Sequence, residues 1–268
     1  MSALPHSPQA FARAARFGLG VYRASANGEC YQAVLTALRA GYRYVDTAQI
    51  YRNEEDVGRA IADSGVARDA IFITTKLWLS NWGYANAVAA VEESLTKLRV
   101  AQVDMFLLHA PGDAATRADS WRALENCRAR GLIKFIGVSN FSDQHLEKLA
   151  LTARVWPPAV NQIEVHPWLQ RRELVAYCQS RGIVVEAYSP LAKAEKMSDP
   201  TLLRVAKRRD ASAAQVLIAW SLAKGMVRGE AVFHYFLNFG GLLCRSLTSL
   251  LYSLFALHMT AYDAQECY

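Results

Sequence analysis

Short β-branched runs alternate with amphipathic stretches along most of this chain. The runs are "FGLGVY" (17–22), "YRYVDT" (42–47), "IFITTKL" (71–77), "VDMFLLH" (103–109), "FIGVSN" (135–140), "PAVNQIEV" (158–165) and "IVVEAYS" (183–189). Between them lie segments with helical spacing, among them "YANAVAAVEESLTKLR" (84–99), "DSWRALENCRARG" (119–131), "QHLEKLAL" (144–151) and "RRELVAYCQSRG" (171–182). Several close on a glycine, as helix C-termini prefer. Runs apolar on both faces fit a parallel sheet covered by helices, and parallel neighbours need a long crossover between them. Seven such units exceed an ordinary open sheet. The pattern therefore predicts an α/β fold closed as an eight-stranded (β/α)8 TIM barrel.

In such a barrel the chemistry gathers at the C-terminal ends of the strands. The predicted strands end on Asp46, Lys76, His109, Ser139 with Asn140, Gln162 with Glu164, and Tyr188 with Ser189. Each has an ordinary explanation by itself: a strand-end aspartate caps a turn, a lysine snorkels, a histidine sits half-buried, a tyrosine fills the core. Asp46, Tyr51, Lys76 and His109 on one rim resist that explanation together. A phenol is a poor proton donor at neutral pH, and a cation against it makes the phenolate easier to form. Lys76 supplies the cation, Asp46 offsets the cost of desolvating it, and His109 orients a carbonyl oxygen beside Tyr51. These four groups can polarise a carbonyl and protonate an alkoxide, so a hydride-donating cofactor is implied.

Composition narrows the class. The 268 residues are 52% hydrophobic and 20% charged, which excludes a disordered chain and allows a large core. A net charge of +6 arises from 30 basic and 24 acidic residues without a long like-charge run, and "AKRRDA" (206–211) reads as a solvated helix face. No nucleic-acid partner is expected, while a mild basic surplus suits a phosphorylated cofactor. Cys30, Cys127, Cys178, Cys244 and Cys267 form no CxxC pair and no zinc-spaced cluster, so no metal is expected and the thiols belong to a reducing, cytoplasmic compartment. The N-terminal "MSALPHSPQAFARAARFG" lacks a secretory apolar core, although its arginines and missing acids weakly resemble a transit peptide. A monomer is expected.

The stretches "GYRYVDTAQIYRNEEDVGRAI", "IFITTKLW", "VDMFLLHAPG", "GLIKFIGVSNF", "VNQIEVHPWLQ" and "EAYSPLA" resemble, in order and spacing, the successive signatures of the aldo-keto reductase family from about residue 17 to 227. The resemblance implies a barrel that binds NAD(P)H across its mouth and reduces aldehydes and ketones without metal. It makes Tyr51 the proton donor, Lys76 and Asp46 its tuners, and His109 the group that orients substrate. It also assigns Ser139, Asn140 and Gln162 to the nicotinamide carboxamide, Tyr188 to the nicotinamide face, and Ser189 and Leu191 to the turn under the pyrophosphate. Tyr22 and Trp78, with His109, are expected to wall the substrate pocket. Ala110 stands where many relatives carry a tryptophan, which implies a roomier pocket, and Trp82 lies either near it or on a surface loop.

The resemblance stops after "AQVLIAWSLAKGMV". Relatives continue into an eighth strand, a Pro-Lys-Ser turn and an arginine that clamp the adenosine 2′-phosphate; here the chain reads "RGEAVFHYFLNFGGLLCRSLTSLLYSLFALHMTAYDAQECY". The expected division is a barrel over 1–227 and an atypical hydrophobic segment over 228–268, with the eighth strand and C-terminal helices atypical or incomplete. Uncharged stretches 231–244 and 246–259 flank Arg245. Each is shorter than the roughly 20 apolar residues of a bilayer span. An improvised eighth strand from "EAVFHYF" with a packed helix, a membrane anchor through 231–259 and a poorly ordered tail all fit this segment. Each lost contact to a phosphate costs about 1.5–3 kcal/mol, so NADPH is the expected cofactor with NADH admitted. Three functions remain: a reductase of small carbonyl compounds, a non-catalytic or unstable variant of one, and a barrel aldolase using Lys76 as a Schiff base.

Overall fold

Eight strands run parallel and close on one another in sequence order, β1 Gly18–Gly20, β2 Tyr44–Asp46, β3 Phe72–Leu77, β4 Val103–Leu108, β5 Ile133–Ser139, β6 Val160–Glu164, β7 Val184–Tyr188 and β8 Val227–Glu230. The computed structural model describes residues 18–230. Seven strands fall within the predicted runs or, for β5, begin two residues earlier. The eighth begins on the last residue of the expected barrel and runs into the segment expected to be atypical. It is four residues long, begins before "EAVFHYF", and pairs with β7 on one side and β1 on the other, Gly18 opposite Gly229. The barrel is closed. Most of "EAVFHYF", the N-terminal stretch 1–17 and the stretch 231–259 lie outside the described residues.

Helices cover the outside: α1 Glu29–Arg39, α2 Glu54–Asp63, α3 Tyr84–Leu98, α4 Ala114–Ala129, α5 Asp143–Ala150, α6 Arg172–Ser180, α7 Pro200–Arg208 and α8 Ala213–Ala223. Their starts are chemically marked. Ser142 and Ser212 form capping boxes with His145 and Gln215, and Asp199 caps α7 just before Pro200. α4 begins five residues before its amphipathic pattern does, because Asp113 accepts from the Ala115 amide and the run that follows is rich in alanine. The basic cluster at the end of α7, Lys207 to Arg209, is exposed as expected. No helix among the described residues is long and apolar enough to cross a membrane.

Two apolar layers result from strand alternation. The larger lies between sheet and helices and holds Val45, Ile73, Phe106, Leu108, Ile136 and Val185. The smaller fills the barrel interior with Tyr44, Phe72, Met105, Leu107 and Val160, joined by Phe135 and Val184. Above that apolar floor the inward positions become polar: Asp46 on β2, Lys76 on β3, Gln162 on β6 and Glu186 on β7 are all buried. Cys30, Cys127 and Cys178 are free, buried thiols.

Candidate active site

The polar ring inside the barrel mouth is built by alternation. Tyr44 and Asp46 share one face of β2, Thr74 and Lys76 one face of β3, and Gln162 pairs in register with Glu186. Tyr51 enters from above, on a single tight turn over Gln49–Tyr51 that follows β2. Asn53 fixes this loop: its amide donates to the Val21 and Ala24 carbonyls and accepts from the Thr47 hydroxyl. Gln49 fixes the next, accepting from the Trp78 amide and donating to Ala90.

Lys76 Nζ donates to Asp46 Oδ1 at 2.5 Å and to the Thr47 carbonyl at 3.0 Å, and reaches Tyr51 Oη at 3.4 Å. The side chain is fully buried. Burial by itself would strip the proton, but the charge of Asp46 and the Tyr51 phenol outweigh it and hold the ammonium well above the ordinary lysine range. A protonated amine has no lone pair, so this lysine is not poised as a Schiff-base nucleophile. Burial also pushes Tyr51 up to about 12, although Lys76 pulls it down. The expected acidifying effect of the ammonium is therefore present but smaller than the desolvation. Tyr51 keeps its proton across the neutral range.

His109 follows β4 with its ring edge-on to Tyr51, centroids 5.7 Å apart, and to Trp78, 5.1 Å apart. Burial and the nearby Lys76 lower it to about 3, so it is neutral. Its Nδ1 is buried without a hydrogen-bond partner among the described residues. Tyr22, half-exposed, packs its ring 5.1 Å from that of Tyr51. Tyr22, Trp78 and His109 thus stand around the phenol. Trp82 is buried rather than on the surface, and it packs so closely over Gly112 that a Cβ there would meet its ring at 2.6 Å.

A second group of predicted residues also comes together. Asn140 Nδ2 donates to the His109 carbonyl and to Ser139 Oγ, and Asn140 Oδ1 accepts from the Tyr188 hydroxyl at 2.9 Å. Ser139 Oγ donates to the Gln162 carbonyl. Gln162 spends both N–H bonds downward, on Asp46 Oδ2 at 2.9 Å and Glu186 Oε1 at 2.8 Å, leaving Oε1 as its remaining acceptor. Asn140 Oδ1, Ser139 Oγ and Gln162 Oε1 are acceptors that suit the –NH2 of a carboxamide, so the cluster fits a nicotinamide. Ser189 follows β7 in a left-handed conformation, φ 49°, and the Leu191 side chain is buried with Leu202, Leu217 and Ile218. Ser189 itself is only partly buried.

Glu186 and Tyr44 were not singled out from the sequence. Glu186 is fully buried in β7, accepts from Tyr44 Oη at 2.6 Å and Gln162 Nε2, and its Oε2 has no partner among the described residues. Its signal was a carboxylate inside the apolar run "VVEAY", two positions before Tyr188 and so on the same face. Among the described residues no cluster of His, Cys, Asp and Glu is disposed to hold a metal.

The profile of the aldo/keto reductase family matches residues 15–233, which include every strand and every residue of this site. The chain belongs to that family. Among curated aldo/keto reductase relatives, the glyoxal reductase of Bacillus subtilis is 44% identical over 79% of this chain and 76% of its own. A methylglyoxal reductase of Salmonella typhimurium is 41% identical over 78% of this chain and 79% of its own. The crystal structure of the aldo/keto reductase from Brucella melitensis superposes with a TM-score of 0.76 at 39% identity, over 87% of this chain and 93% of that one. The aldo/keto reductases are oxidoreductases that work with a nicotinamide cofactor, so this chain is an oxidoreductase of carbonyl groups.

Proposed function

We propose that the chain reduces the carbonyl of a small aldehyde or ketone to an alcohol, with Tyr51 as the proton donor and NADPH or NADH as the reductant. The observation that carries the reading is the row Asp46, Lys76, Tyr51 at the open end of the barrel, with neutral His109 against the phenol. The nicotinamide, when bound, supplies the hydride. Asp46 keeps Lys76 charged, Lys76 stabilises negative charge as it grows on Tyr51 Oη, and His109 Nε2 holds the carbonyl oxygen beside that hydroxyl. As the alkoxide forms, the Tyr51 proton moves to it; solvent later restores the phenol. Ser139, Asn140 and Gln162 would hold the carboxamide, Tyr188 would cover the ring, and the Ser189–Leu191 turn would lie along the pyrophosphate.

The names of the two bacterial relatives, glyoxal and methylglyoxal reductase, favour a 2-oxoaldehyde as substrate. The sequence after residue 227 lacks the Pro-Lys-Ser turn and the arginine of the 2′-phosphate clamp, so the reading keeps NADH beside NADPH. In it, the closing strand Val227–Glu230 crosses the boundary at 227, residues 228–268 form a segment foreign to the family beyond that strand, and the protein works in the cytoplasm.

The test is Tyr51→Phe, assayed with an aldehyde panel under both cofactors. Reduction should fall by roughly 10²–10⁴-fold. Tryptophan quenching by cofactor, read from the six tryptophans, should stay unchanged. Retention of most activity refutes the role of Tyr51, and absence of quenching at millimolar cofactor refutes the reading itself.

A further inference from the structure

Beneath Tyr51, among the described residues, the barrel interior holds one ammonium, Lys76, and two carboxyls, Asp46 and Glu186, and Glu186 has no part in the mechanism above. An unbroken row of hydrogen bonds links it to the phenol: Glu186 Oε1 to Gln162 Nε2 at 2.8 Å, Gln162 Nε2 to Asp46 Oδ2 at 2.9 Å, Asp46 Oδ1 to Lys76 Nζ at 2.5 Å, and Lys76 Nζ to Tyr51 Oη at 3.4 Å. We propose that Glu186 is a positioning residue whose proton sets the charge under Lys76, and so the acid strength of Tyr51. The proposal rests on the carbonyl-reduction reading.

The groups facing Glu186 fix the sign. From β2 come the Tyr44 hydroxyl, which donates to Oε1, and the Asp46 carboxylate; from β3 come Lys76 and Thr74, whose hydroxyl donates to Tyr44; from β6 comes Gln162. The register partner on β8 is Val227. Among the groups named here only Lys76 is cationic, and Asp46 already holds it. Burial first, and Asp46 second, raise the Glu186 carboxyl to about 7. Below that pH the floor of the site carries Asp46⁻ and Lys76⁺ and is neutral. Above it a second negative charge competes for the same ammonium, phenolate character on Tyr51 is opposed, and proton donation slows. Glu186 touches neither substrate nor cofactor; it acts through Gln162, Asp46 and Lys76.

The test is the single-turnover rate of reduction of p-nitrobenzaldehyde with NADPH by the full chain between pH 5.5 and 9, alongside Glu186→Gln and Glu186→Asp. The unaltered protein should lose roughly tenfold in rate as pH rises through neutrality, the effect of about one pH unit in the strength of the donor. Glu186→Gln, uncharged and able to accept from Tyr44 and Gln162 through its amide oxygen, should show no such fall. Glu186→Asp should restore it. Infrared spectra should show a protonated carboxyl band that disappears between pH 5.5 and 9 and is missing from Glu186→Gln. Superimposable rate profiles of the unaltered protein and Glu186→Gln overturn the proposal while leaving the reductase reading standing, as does a Glu186→Gln protein inactive at every pH. Failure of the unaltered protein to reduce the aldehyde overturns the reading and the proposal with it.

Discussion

Removing the charge of Asp46 should damage stability and activity together, and the geometry says how much. Asp46 is 5% exposed and uses both oxygens, Oδ1 for Lys76 and Oδ2 for Gln162. In Asp46→Asn the side chain offers one acceptor, so either the ammonium or the Gln162 amide would face an N–H. Lys76, fully buried, would keep the Thr47 carbonyl but lose its carboxylate. Breaking a buried pair from one side costs about 3–5 kcal/mol, because the survivor is an uncompensated charge. Lys76→Met should cost a similar amount from the other side, leaving the Asp46 carboxylate with the Gln162 amide alone. Made together, the two changes remove both charges at once, so the double variant should be more stable than the sum of the single losses predicts by roughly 2 kcal/mol or more. Urea denaturation at pH 7 with matched slopes measures all three. Losses that add to within about 0.5 kcal/mol would mean that the ion pair is not a unit. The Asp46→Asn variant should also lose reductase activity, because without its carboxylate the ammonium is no longer held in place and charged beside Tyr51, where it offsets the desolvation of the phenol.

Two further outcomes follow from buried groups. For Glu186 the folded carboxyl lies near 7 against an ordinary 4.5, so folding opposes its ionisation; the cost is absent below about pH 4.5, grows as pH rises, and is complete above about pH 7. At about 1.4 kcal/mol per pH unit, Glu186→Gln should gain about 3 kcal/mol of stability relative to the unaltered protein between pH 4.5 and 8. Urea midpoints at the two pH values test this, and an unchanged gap refutes it. Gly58, in α2, packs against the end of α3 so closely that a Cβ would meet the Lys97 carbonyl oxygen at 2.6 Å and the Leu98 backbone at 2.7 Å. Gly58→Ala should therefore cost about 1–3 kcal/mol through forced separation of the two helices, with the aldehyde KM unchanged, and a neutral Tm refutes that contact.

Most of the barrel was legible because its signals are local. β-branched runs, glycine stops and cap residues declare strands and helices one at a time, and seven of eight strands were found this way. The eighth was not, since Val227–Glu230 reads "VRGE", with a glycine and two charges. Closure places it between β7 and β1, and the shape of the remaining sheet makes a strand of a segment that does not look like one. Strand-end chemistry was legible for the same local reason, because Asp46, Lys76, His109 and Gln162 interrupt apolar runs at their ends. Glu186 interrupts its run in the middle, where a polar residue marks no strand end.

The sequence by itself determined the alternation of strands and helices, the side of the barrel on which the polar groups lie, and the residue types that a proton-donating carbonyl reductase requires. Tertiary structure decided the energetics. Tyr51, Lys76 and Glu186 are 25 to 135 positions apart, and only closure of the sheet brings them together in one buried cluster, where burial outweighs the pull of Lys76 on the phenol and leaves two carboxyls to share a single ammonium. Desolvation depends on what surrounds a group in space, and nothing in the spacing of residues along a chain records it.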